Sequence, residues 1–244
     1  MARAEIRTQP VAYRHGDVEL QGYLAYDDAV AGKRPGVLVF HDWLGHGEFA
    51  RRKAERLAKL GYVGFAVDMY GKGIVAKNPQ EAAGMAGTYK NNLPLLRARA
   101  QAGLEALKQV PQVDPTRIAA MGFCFGGTCA LELARSGADL VGVVSFHGAL
   151  GTSNPEDAKK IKGKILALHG ADDPFVPLAE VTAFEEEMRK AGVDWELVKY
   201  GGAVHSFTNP AAGNDNARGA AYNAKADARS WEAMKAFFKE VFGQ

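Results

Sequence analysis

Six short apolar runs alternate with amphipathic segments along this chain, and that alternation constrains its fold more than any other feature. The runs are VLVF at 37–40, YVGFAVD at 62–68, RIAAMGF at 117–123, LVGVVSF at 140–146, KILALHG at 164–170 and WELVKY at 195–200. In most of them apolar residues follow one another without a polar partner face, as in strands buried on both sides of a parallel sheet. The segments between them carry helical spacing. Residues 48–60 are rich in Ala, Arg, Lys and Leu and stop at Gly61; Leu96, Ala100, Leu104 and Leu107 share a face, as do Val181, Phe184 and Met188. Trp231, Met234, Phe238 and Val241 line the last helix. Asn78-Pro79 reads as a helix cap and first turn, while Gly84, Gly87 and Pro94 are expected to break up the segment after it. Ahead of all this, VAYRHGDVELQGYLAYDD predicts two strands around a His-Gly-Asp turn. With no linker and no repeat, residues 1–244 are expected to form one α/β domain, with a mostly parallel sheet and helices on both faces.

Composition narrows the partners. Thirty basic against 28 acidic side chains leave a formal charge of +2, too balanced for a nucleic-acid surface. No run approaches 18 uninterrupted apolar residues, and MARAEIRTQPVAYRHGDV lacks the apolar core of a signal peptide, so neither a membrane span nor a leader is expected. Two cysteines five positions apart cannot build a disulfide framework, which points to a reducing, cytoplasmic setting. His41, Asp42 and His46 could suggest a metal site, but ligation needs a third or fourth convergent ligand and none is placed, so no metal and no cofactor is expected. The expected partner is a small-molecule substrate; monomer and homodimer both stay open.

In such a sheet the chemistry sits at the C-terminal ends of strands. After RIAAM comes Gly122-Phe123-Cys124-Phe125-Gly126-Gly127, succeeded at once by a helical pattern. This is the strand–turn–helix setting of a nucleophile elbow, with glycines where a side chain would collide with the turn. The helix N-terminus favours a thiolate and a developing oxyanion. After KILALHG come Asp172 and Asp173, and after WELVKY comes His205. Nucleophile, acid and histidine thus arrive at three strand ends in one of the known triad orders. The bland alternative, Cys124 as a small buried hydrophobe, suits Cys129 better, which lies inside the next helix without a motif. Strand-end His147 and the aromatics Tyr70 and Phe207 are candidates for pocket walls, with core packing as the competing reading.

GFCFGG around Cys124, DPFVP from Asp173, GGAVHSF around His205, HDWLG at 41–45 and GYVGFAVDMYG at 61–71 together resemble the dienelactone hydrolase family of α/β-hydrolases, over nearly the whole chain. The resemblance implies the α/β-hydrolase fold and a cysteine nucleophile, and its acid, four residues before the proline of VP, is Asp173. It also implies an oxyanion hole from the backbone amides of Phe125 and Trp43, and places Asp42 where the family carries a carboxylate against the resting thiol.

A Cys-His-Asp triad transfers acyl groups through a thioester. A thiolate, with a pKa of about 8.5, leaves a tetrahedral intermediate more readily than an alkoxide or amide nitrogen, so ordinary esters and peptides return to substrate. Enol lactones and aryl esters, whose leaving groups are acidic, go forward. The family enzyme itself binds a carboxylate-bearing lactone through arginines, one shortly after the catalytic histidine. Here SFTN follows His205 and the next arginine is Arg218, which favours a neutral ester or lactone. The same cysteine is expected to support a side activity on aryl phosphotriesters. The alternative reading is a non-catalytic binding protein on the same fold.

Overall fold

The computed structural model describes residues 5–243, in which eight strands are ordered β1-β2-β4-β3-β5-β6-β7-β8. They are β1 (Ile6–His15), β2 (Val18–Asp27), β3 (Arg34–Phe40), β4 (Val63–Val67), β5 (Val113–Phe123), β6 (Gly142–Phe146), β7 (Lys164–Gly170) and β8 (Trp195–Tyr200). The helices are α1 (Glu48–Ala58), α2 (Pro79–Lys90), α3 (Leu93–Lys108), α4 (Phe125–Arg135), α5 (Leu178–Ala191) and α6 (Ala224–Phe242). All six apolar runs are strands. The chain groups into two compact units that meet in sequence between Met121 and Gly122.

In the first unit, β1 and β2 form an antiparallel hairpin through the expected turn, and β2 runs antiparallel to β4 while β3 and β4 are parallel. Helices cover both faces of β4. A Cβ on Gly64 would stand 2.4 Å from the Ala54 carbonyl oxygen, so only glycine lets α1 lie this close. Three residues on, Val67 points the opposite way and is received at Gly103 of α3. Leu96, Ala100, Leu104 and Leu107 of α3 are all buried.

One local expectation is corrected here. Gly84 and Gly87 do not break α2, which runs unbroken from Pro79 to Lys90. Asn78 accepts the Glu81 amide at 2.9 Å, and Glu81 reaches back to the Lys77 amide at 2.9 Å. That capping box and the buried Ala82, Ala86 and Tyr89 outweigh a glycine cost of about 1 kcal/mol each. Pro94 begins α3 instead of breaking a helix, in the first turn where its missing N–H costs nothing.

In the second unit β6, β7 and β8 are parallel, with Ser145 beside Ala167 and Leu168 beside Val198. Ser145 faces Gly127 of α4, whereas Gly142 faces Phe237 of α6, so this sheet too is covered on both sides. Val181, Phe184 and Met188 of α5 are buried, as are Trp231, Met234 and Phe238 of α6; Val241 is half-buried, and Phe237 and Phe242 take its place. The wholly buried Arg135, at the end of α4, holds Glu187 of α5 through two bonds of 2.8 and 2.7 Å. It also bonds Glu132 at 3.0 Å and the Leu150 carbonyl at 2.8 Å. The helix that starts at the glycine-rich turn is thereby clamped to the helix that comes after Asp173. No helix among the described residues is long and apolar enough to cross a membrane.

Candidate active site

Cys124 occupies the single residue between β5 and α4, at φ 55° and ψ −118°. A non-glycine residue in that region costs about 1–3 kcal/mol and persists only where its surroundings over-determine it. They do so here. A Cβ on Gly122 would lie 1.9 Å from the Gly126 carbonyl oxygen, so the strand can fold back onto the helix start only without one. The Gly127 and Thr128 amides turn back to the Cys124 carbonyl at 3.0 and 3.4 Å, and the Cys124 amide donates to the Phe146 carbonyl at 3.0 Å. Phe125 supplies the first residue of α4 proper, and Cys129 is wholly buried one turn on.

Of the two aspartates after β7, Asp173 meets the histidine. Its Oδ2 accepts from His205 Nδ1 at 2.8 Å, and its Oδ1 accepts from the Phe175 amide at 2.8 Å, which fixes the carboxylate's rotation. Its side chain is wholly buried. Asp172 is exposed and accepts from the Gly202 amide at 3.0 Å, a loop bond.

His205 lies beyond β8 on a loop stitched to residues further along. Its amide donates to Gly219 at 3.1 Å, and its carbonyl accepts from Ala221 at 3.0 Å. Its imidazole bonds Asp173, and Cys124 is the second group that acts on it. Burial pushes this imidazole down, but the hydrogen bonds and charges of Asp173 and Cys124 prevail and raise it to about 10. The histidine therefore holds its proton at neutral pH. Phe175, more than half exposed, stands edge-on to the ring at 5.5 Å.

The other expected residues take varied places. Asp42 is buried, and its Oδ1 accepts from the Leu44 amide at 2.9 Å. Trp43 is half-buried, and its carbonyl accepts from the Tyr70 hydroxyl at 3.0 Å. Tyr70 is buried, edge-on to His41. His147, at the end of β6, is buried with φ 42°, and Phe207 is wholly buried, edge-on to the His147 ring at 5.0 Å. Two residues escaped sequence reasoning. Ser206 adopts φ 58° directly after His205, and Thr208 bonds His147 at 2.8 Å. Neither carries a local motif, although both fall in the loop after the last strand. His41 and His46 bond backbone atoms, and no group of three or more His, Cys, Asp or Glu among the described residues could hold a metal ion.

A mostly parallel sheet covered by helices, with Cys124 on a strained strand–helix turn and His205 and Asp173 at later strand ends, defines an α/β-hydrolase. The dienelactone hydrolase family profile matches residues 20–242, and the chain belongs to that family. It is 41% identical to a dienelactone hydrolase-like promiscuous phosphotriesterase from metagenomic libraries, with a TM-score of 0.94 over 98% of this chain and 99% of that one. A candidate carboxymethylenebutenolidase of Aquifex aeolicus is 31% identical across 95% of this chain and 97% of its own. Est1E from Butyrivibrio proteoclasticus, at 17% identity, shares the fold with a TM-score of 0.69 over 96% of this chain and 99% of that one. The chain is a carboxylic ester hydrolase.

Proposed function

We propose that the chain hydrolyses activated carboxylic esters, enol lactones and aryl esters, with Cys124 as nucleophile, His205 as acid–base and Asp173 as its orienting partner. The observation that carries this reading is the 2.8 Å bond between Asp173 and His205 Nδ1, beside a strained Cys124 that acts on the same imidazole. The Cys124 sulfur attacks the acyl carbon, the C–S bond forms, and the carbonyl electrons move to oxygen. The Phe125 amide at the start of α4 is the proposed oxyanion donor. Collapse breaks the C–O bond and expels an aryloxide or enolate, leaving a thioester. Acylation then removes the sulfur charge that helps to hold the His205 proton. His205 gives its proton to the departing aryloxide or enolate, and the neutral imidazole can then take a proton from water as that water attacks the thioester. The C–S bond breaks, the acid departs, and the proton returns to the Cys124–His205 pair.

Cys124→Ala should abolish hydrolysis of a chromogenic aryl ester while Cys129→Ala stays within a few-fold of wild type. An active Cys124→Ala protein would contradict the assignment. The expected substrates are neutral, since no arginine comes after His205 until Arg218, which is exposed. The protein is expected to work in the cytoplasm, as one domain over residues 1–244.

A second activity is favoured by the 41% identity to the phosphotriesterase. The thiolate attacks a neutral phosphorus centre, the P–S bond forms and an aryloxide leaves. Water activated by His205 then attacks phosphorus, and the P–S bond breaks to regenerate the thiolate, a better leaving group than a serine alkoxide. Wild type should show sustained release of a coloured phenol from an aryl phosphotriester, and Cys124→Ser at most one equivalent. A wild-type burst that stops at one product per site would overturn this reading.

A further inference from the structure

The Cys124 amide has two acceptors: the Phe146 carbonyl at 3.0 Å and Nδ1 of His147 at 3.2 Å. On the far side of that ring, Nε2 stands 2.8 Å from the Thr208 hydroxyl oxygen. A nitrogen that accepts an N–H must present its lone pair, so Nδ1 is bare and the ring's proton sits on Nε2, donating to Thr208. The opposite tautomer would set two hydrogens against each other at the Cys124 amide. His147 itself adopts φ 42°, its own amide donates to the Leu168 carbonyl at 2.8 Å, and its ring is edge-on to His205 at 5.3 Å.

We infer that His147 is a positioning residue for the nucleophile. Its neutral Nε2–H tautomer, fixed by the Cys124 amide at Nδ1 and satisfied by Thr208 at Nε2, holds the backbone of Cys124 in the strained conformation that presents the sulfur to His205. All three non-glycine residues with positive φ among the described residues, Cys124, His147 and Ser206, belong to this assembly or adjoin it. Strained backbone is expected where a reacting group must be held against its preference. His147 is assigned no bond-making step: it acts on Cys124 through the turn, and its ring packs edge-on against His205. The inference rests on Cys124 being the nucleophile.

The test uses three substitutions in the full chain. His147→Leu removes the acceptor, His147→Asn keeps an oxygen near the place of Nδ1 in a residue that tolerates positive φ, and Thr208→Val removes the tautomer's partner without changing shape. Two rates are read: kcat and KM on an aryl ester, and alkylation of Cys124 by iodoacetamide, which requires no turnover. His147→Leu should lower kcat and alkylation by about 10²-fold with KM little changed, as expected for a misplaced nucleophile. Thr208→Val should cost about 10-fold, as loss of an outer partner typically does. His147→Asn should restore most of both rates. If His147→Leu folds poorly, Thr208→Val and His147→Asn still decide the matter. Thr208→Val at wild-type rates, or His147→Asn as impaired as His147→Leu, would overturn the inference. Failure of the underlying reading looks different: Cys124→Ala would then still hydrolyse the ester, whatever the His147 variants do.

Discussion

Two buried histidine environments in this molecule have opposite chemistry. Around β3 and β4, His41 donates from Nδ1 to the Asp42 carbonyl at 2.6 Å and accepts the Met69 amide at Nε2 at 3.2 Å, while His46 Nε2 bonds the Ala66 carbonyl at 3.1 Å. Burial lowers both imidazoles to about 4. After β8, His205 is also largely buried, yet it is raised to about 10. Burial alone therefore does not decide protonation. His41 and His46 bond backbone groups and are kept neutral, whereas His205 bonds the Asp173 carboxylate and is acted on by Cys124, which together outweigh the desolvation. The backbone shows the same division. In residues 5–121 every positive φ belongs to glycine, whereas three non-glycine residues of 122–243 carry one. The strained non-glycine backbone thus falls in the region that carries Cys124 and His205.

The comparison breaks most readily at Asp173. Asp173→Asn should cost about 10³–10⁴-fold in kcat by removing the charge that orients and protonates His205. Asp172→Asn, which touches only a loop amide, should stay within a few-fold. Equal losses in folded variants, measured with the same aryl ester, would mean that the Asp173–His205 bond does not set the site apart. The next effect is on stability. Arg135 faces two buried carboxylates, so Arg135→Met should destabilise the fold by about 3–5 kcal/mol in denaturant melts, because Glu132 and Glu187 are left buried without a cation. Replacing all three by apolar residues should recover much of that loss.

The smallest effects are on the pH dependence of unfolding, and they have opposite signs. His41 and His46 lie below their unfolded value of about 6.5, so their contribution is complete above that pH and is lost as pH falls through about 4. His205 lies above it, so its contribution is complete below about 6.5 and is lost as pH rises through about 10. His46→Leu should therefore flatten the acid limb of stability against pH, and His205→Asn the alkaline limb. The reverse pattern would show that the two environments have been assigned the wrong way round.

Much of this was legible in the residues themselves. The apolar runs located six strands, and in β3 to β7 burial on both faces leaves no room for polar alternation, whereas β8, at the sheet edge, is only partly buried. Spacing alone left Asp172 and Asp173 both open; the family resemblance implied Asp173, and the structure bonds Asp173 to His205 at 2.8 Å while the Phe175 amide fixes its carboxylate. Gly84 and Gly87 misled because propensity is local, whereas the capping box at Asn78 and the buried face of α2 act over the whole helix. His147 was visible only as a strand-end histidine. Its bond to the Cys124 amide, and Thr208 behind it, depend on a fold-back of 23 and 61 residues that no local pattern records.

The central claim is that His205 carries its proton at neutral pH because Cys124 and Asp173 hold it there. With six histidines in the chain, NMR titration of the imidazoles in wild type, Cys124→Ala and a His205→Asn assignment control measures this directly. The His205 resonance is expected to stay in its protonated position through neutrality and to titrate near pH 10. It should titrate at clearly lower pH in Cys124→Ala, while His41 stays neutral down to about pH 4 in both. A His205 that titrates near 6.5 in wild type, unmoved by loss of the thiol, would contradict the claim.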